Sequence, residues 1–151
     1  MNAKTTKKGL SLIELMIAVA ILVFSLSALL ASYSNIFLLA DLARDRSRAA
    51  NAVRAKMEEL KKENFSNLDS FNATTFNLDG FSANDAKGRI EVRTVTGTTD
   101  LKEIRVVASF RSRRRIIGED TNLNGVLNTG EDANNNGRLD SPVELVTLFV
   151  K

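Results

Sequence analysis

The chain is predicted to fold as α+β: one long N-terminal α-helix laid on a small antiparallel β-sheet, with a loop-rich insertion late in the chain. Three observations carry this. Residues 10–63 contain neither glycine nor proline and pass from wholly apolar to amphipathic. Alternating segments follow at 89–96, 102–111 and 143–150. Between the last two lies an imperfect 12-residue repeat rich in Asp, Asn and Gly.

Residues 1–9 are short, polar and basic, with Lys4, Lys7 and Lys8. Residues 10–40 are nearly all apolar or small, and Glu14 is the only charge among them. A bilayer crossing takes about 20 such residues. At ~1.5 Å per residue the run is about 46 Å of helix, longer than one membrane core requires. The surplus predicts packing against other helices, with residues 10–33 as the spanning part. From Asp41 on, Leu42, Ala49, Val53, Met57 and Leu60 recur at the helical period, while Arg44, Arg48, Arg54, Glu58 and Lys61 lie mostly elsewhere. One helix over 10–63 is therefore expected, its second half lying on a globular domain.

That domain occupies 64–151. Residues 64–88 read as a loop in which Asn67–Phe71 is loosely repeated at Asn77–Phe81, each copy a turn followed by a Phe that plugs the core edge. Residues 89–96 alternate, 97–100 turn, and 102–111 alternate with Ile104, Val106, Ala108 and Phe110 on one face. After an insertion at 118–141, residues 143–150 form a further strand. A sheet of three or four strands with one face under the amphipathic half-helix closes the core.

Glu14 separates the readings of the N-terminus. A secretory signal accommodates it poorly, and no small-x-small cleavage site follows. A plain anchor leaves it unexplained, since a carboxylate in a bilayer costs about 2.5–3.5 kcal/mol even on insertion scales. Residues 7–17, Lys-Lys-Gly-Leu-Ser-Leu-Ile-Glu-Leu-Met-Ile, closely resemble the prepilin cleavage motif of type IV pilins and type II secretion pseudopilins. The resemblance implies a type IV pilin-like fold and removal of leader 1–9 by a prepilin peptidase cutting between Gly9 and Leu10. It also implies methylation of the new Leu10 amine and assembly into a filament with other pilin or pseudopilin subunits through the N-terminal helix. Glu14 would then pair with the N-terminal amine of a neighbouring subunit, because a buried carboxylate requires a partner. Ala55–Lys61, closing the helix before a Phe-rich turn, is similar to minor pilins and minor pseudopilins. The basic leader favours a cytoplasmic N-terminus and a single inner-membrane pass, with the globular part periplasmic or at the cell surface.

The insertion matches a calcium-loop template, in which oxygen ligands occupy positions 1, 3, 5, 7, 9 and 12 around a glycine at 6. The first copy supplies Asp120, Asn122, Asn124, the Val126 carbonyl, Asn128 and Glu131, with Gly125 at the bend. The second supplies Asp132, Asn134, Asn136, the Arg138 carbonyl and Asp140, with Gly137 at the bend, but its twelfth position is Val143. Glu119 precedes the first copy as Glu131 precedes the second. Either the second site is incomplete and one calcium ion binds, or Glu119 folds back to complete it and two bind. A polar hairpin without metal is the plainer alternative. Few charges face each ion, so affinities of roughly 10⁻⁴ to 10⁻³ M are expected. Calcium would staple a domain without disulfides.

Composition narrows the rest. The chain has no cysteine and no histidine, which excludes thiol and imidazole chemistry and most zinc sites. No nucleophile–base pair or phosphate loop is present, so no enzyme activity is expected. The net charge of +3 resides on the three leader lysines, and 18 basic residues balance 18 acidic ones in the rest. No nucleic-acid partner is expected. The cluster Arg111, Arg113, Arg114 and Arg115 is read as charge balance for Glu119, Asp120 and nearby acids or as an edge-strand guard. The rival to a filament subunit is a membrane-tethered, calcium-dependent adhesin or binding module that never polymerises.

Overall fold

The computed structural model describes Gly9 and residues 11–151. It consists of a helix α1 (Leu12–Leu60), a 3₁₀ turn (Phe65–Phe71) and five strands: β1 (Thr75–Phe76), β2 (Ala86–Thr94), β3 (Leu101–Ser112), β4 (Arg115–Ile117) and β5 (Glu144–Val150). The chain divides into two compact units, one up to Ala40 and one from Asp41, and α1 contributes to both.

In the first unit the large apolar side chains of α1, from Leu12 to Leu39, are exposed. Three of its serine hydroxyls are satisfied within the helix. Ser25, Ser27 and Ser32 donate to the carbonyls of Ile21, Val23 and Ala28 at 2.8, 2.8 and 3.0 Å. Such back-bonding removes the cost of a bare hydroxyl in an apolar medium. Among the described residues α1 is the one helix long and apolar enough to cross a membrane.

In the second unit Ala49, Val53, Met57 and Leu60 are 0–1% exposed. They form a core with Ile90 and Val92 of β2 and Ile104, Val106, Ala108 and Phe110 of β3. The helix stops at Leu60 rather than 63. There the backbone tightens, Lys62 donating to Glu59 and Glu63 to Leu60, and leads into the 3₁₀ turn. Leu68 and Leu78 are the buried plugs of the two turn copies, while Phe71 and Phe81 pack against the core only partly buried.

The sheet has five antiparallel strands, in the order β1-β2-β3-β4 with β5 also on β3. This exceeds the three or four expected, because β1 and β4 are too short for alternation to register. β2 begins at Ala86, inside the stretch expected to be loop. Gly88 hides it: a Cβ there would lie 2.3 Å from the Phe76 ring, so β1 crosses a strand position that had to be empty. β3 pairs with β2 along one edge and with β4 and β5 along the other, as Val106 opposite both Ile90 and Leu145 requires. Residues 118–141 lie against the face away from α1. Gly125 sits over Thr75 and Lys87, and Gly118 over Ser109.

Candidate functional site

Two regions carry the functional residues. The first is the start of α1. Gly9 is exposed and outside the helix. Leu10, with Lys4, Lys7 and Lys8, lies outside the described residues. Ser11 accepts the first helical bond, from Leu15 N–H to its carbonyl at 3.2 Å, and its Oγ accepts the Glu14 N–H at 3.2 Å. Ser11 is thus the N-cap and Glu14 stands in the first turn, where a carboxylate is favoured by the exposed amides and the helix dipole. The sequence signal for this cap is Ser-x-x-Glu, Ser11 to Glu14, before an apolar run.

The second region is the insertion, whose two copies have the same backbone. Position four is left-handed in each, Leu123 at φ 58° and Asn135 at φ 57°, and so is the glycine at position six, Gly125 at 76° and Gly137 at 72°. The opening aspartates act alike. Asp120 accepts the N–H groups of Asn124 (3.1 Å) and Gly125 (2.7 Å), and Asp132 those of Asn136 (3.0 Å) and Gly137 (2.8 Å). Asn122 and Asn134 each accept from the amide two residues on, as do Asn124 and Asn136, whose donors are Val126 and Arg138. These bonds wind six residues into a tight loop.

The closing glutamates are exchanged. Glu131 accepts the N–H of Thr121 and of Asn128, both at 2.9 Å. Glu119 accepts the N–H of Ala133 at 3.2 Å and of Asp140 at 2.9 Å, the same two positions of the second copy. Glu119 therefore faces the second copy, not solvent.

The first copy is the better seated. Asp120 is 1% and Glu131 6% exposed, and Arg89 donates to the Gly125 carbonyl at 2.6 Å. In the second copy Asp140 is held by Asn134 and Asn136 at 2.6 and 2.7 Å, and by the buried Arg105 at 2.5 Å. Arg105 also meets Glu91 and Glu144, and Arg138 meets Glu103 at 3.2 Å. Burial pushes the Asp120 carboxyl above its ordinary range, although the Gly125 and Asn124 amides pull the other way. For Glu131 burial also pushes upward, but hydrogen bonds from Asn128, Thr121 and Asn122 outweigh it and the group lies low. Asp140 is likewise held low against burial, by Asn134, Asn136 and Arg105. Among the described residues no three acidic side chains gather tightly enough to hold a metal alone, so any ion here depends on the asparagines and carbonyls.

Two members of the arginine cluster pair outside the insertion. Arg113 pairs with Asp41 of α1 at 2.5 Å and Arg111 with Asp85 at 3.2 Å. Those acids are distant in sequence and adjacent in the fold.

The family described as the prokaryotic N-terminal methylation motif matches residues 4–30. No curated protein and no solved structure matches the chain.

Proposed function

We infer that this chain, a type IV pilin-like or pseudopilin subunit by its N-terminal methylation motif, is a minor subunit of a pilus or type II secretion pseudopilus with a calcium-stabilised head. The observation that carries the assembly reading is Glu14. It stands in the first turn of an apolar helix, in a methylation motif, and is the only charge in residues 10–40. After cutting between Gly9 and Leu10, the amine of a neighbouring subunit is the cation that offsets this carboxylate. The chain then leaves its single inner-membrane pass by docking α1 among other subunits. Its presence in filaments sheared from cells tests this. A chain found only in the membrane fraction would favour the tethered binding module.

The calcium reading is supported by the donors around Asn128. Its Oδ1 lies 3.0 Å from the Val126 carbonyl oxygen and 3.2 Å from Glu131 Oε2. Oxygens sharing one calcium at about 2.3–2.6 Å stand roughly 2.8–3.4 Å apart, so this spacing fits neighbouring ligands. Turning the Asn128 amide end for end would satisfy those two oxygens without metal, but would set its nitrogen 3.0 Å from the Asn122 and Asn124 Nδ2 groups that now donate to its oxygen. Equilibrium dialysis with calcium separates these two resolutions. In the calcium reading, Asp120, Asn122, Asn124, Val126, Asn128 and Glu131 hold one ion. Asp132, Asn134, Asn136, Arg138, Asp140 and Glu119 hold the other. The ion supplies structure, not catalysis.

A further inference from the structure

We propose that Ser11 is a positioning residue for leader removal: by starting α1 at Leu12 it holds Gly9, the carbonyl side of the bond to be cut, outside the helix and open to the peptidase. This rests on the reading that the Gly9–Leu10 bond is the one cut.

A peptide bond inside an α-helix is poorly placed for hydrolysis. Its carbonyl is engaged by the amide four residues on, and side chains wall it in. Leu10 is a strong helix former, and so are the apolar residues that follow. Nothing in their propensity stops the helix from running back through the bond. Two residues oppose that. Gly9, exposed and outside α1, resists helix propagation from one side. Ser11 terminates the helix from the other, its carbonyl taking the first helical bond and its hydroxyl the Glu14 amide, both at 3.2 Å. The carboxylate of Glu14 in the first turn favours the same start. Glu14 thus serves the helix boundary before cutting and the contact with a neighbour after it. Without the cap, the next side chain able to end the helix is Thr6, on the far side of the bond.

The test is the rate of leader removal from the full-length precursor in membranes containing the peptidase. Wild type is compared with Ser11→Ala and with Ser11→Asn, which restores a cap. Ser11→Ala is expected to slow cutting by up to about fivefold, the factor to which ~1 kcal/mol of lost capping converts. Membrane-inserted precursor stays equal, and Ser11→Asn is cut near the wild-type rate. Hydrogen exchange at the Glu14 amide should quicken in Ser11→Ala alone. Cutting of Ser11→Ala at the wild-type rate would overturn the proposal. So would Ser11→Asn as slow as Ser11→Ala, because the peptidase would then be reading the serine itself. If the wild-type precursor is not cut after Gly9, the processing reading fails, and this proposal falls with it.

Discussion

Glu119 accepts the backbone N–H of Asp140 at 2.9 Å, and the Glu119 N–H returns a bond to the Asp140 carbonyl at 2.8 Å. This closes the base of the insertion. Glu131 repeats the relationship with Asn128, accepting its N–H at 2.9 Å and donating to its carbonyl at 3.1 Å. Each Glu-Asp pair thus opens one loop with its aspartate and closes the other with its glutamate.

That exchange sets the stoichiometry expected for calcium. Wild type should bind two ions, and Glu119→Gln should lose one while keeping the ion at Asp120. Saturating calcium, about tenfold over a Kd of ~1 mM, should stabilise the protein by about 1.4 kcal/mol for each ion bound, relative to chelator. This corresponds to a rise of about 5 °C in Tm per ion. Calorimetry with and without chelator checks it, and an unchanged Tm contradicts the staple.

The two glycines should differ. Gly125 has φ +76°, and a Cβ there would lie 2.4 Å from Thr75 Cγ2, whereas Gly137 at +72° has nothing within 4 Å. Gly137→Ala should cost about 1 kcal/mol, from the left-handed backbone alone. Gly125→Ala should cost about 2–3 kcal/mol, because it also lifts the loop off the sheet. Urea midpoints measure both, and equal losses would contradict the docking of the first copy.

Acid should loosen the insertion in chelator. The Glu131 carboxyl lies low in the folded protein. Its contribution is therefore fully present above the unfolded value of about 4.3 and is lost as pH falls through the folded value. Urea midpoints should decline below pH ~4, and less steeply in Glu131→Gln. Asp120, raised by burial, acts in the opposite sense in both proteins. Parallel declines in wild type and variant would contradict the assignment.

Glu14→Ala should leave membrane insertion intact, slow leader removal no more than Ser11→Ala does, and reduce the amount of chain in sheared filaments severalfold. Immunoblots of membrane and filament fractions measure this. Normal incorporation would remove Glu14 from the assembly mechanism.

What the sequence made legible was whatever is periodic. Helix α1 was plain because no glycine or proline interrupts it, and β3 because Ile104, Val106, Ala108 and Phe110 alternate. The second copy's need for Glu119 followed from Val143 at its twelfth position. What stayed hidden depends on distant partners or very short pairing. β1 exists because Phe76 fits over Gly88, and β4 because Ile117 meets Phe110. Arg113 finds Asp41, 72 residues away. Arg105 sits in an alternating strand, yet is 3% exposed because three carboxylates surround it.

The central claim is that this chain is processed for assembly and is not merely anchored. Mass spectrometry of its N-terminal peptide, from cells with and without the membrane peptidase, tests that most directly. The account predicts a peptide beginning at methylated Leu10 when the peptidase is present and an intact leader when it is absent. An unprocessed Met1 in both, or a start near residue 28, would contradict it.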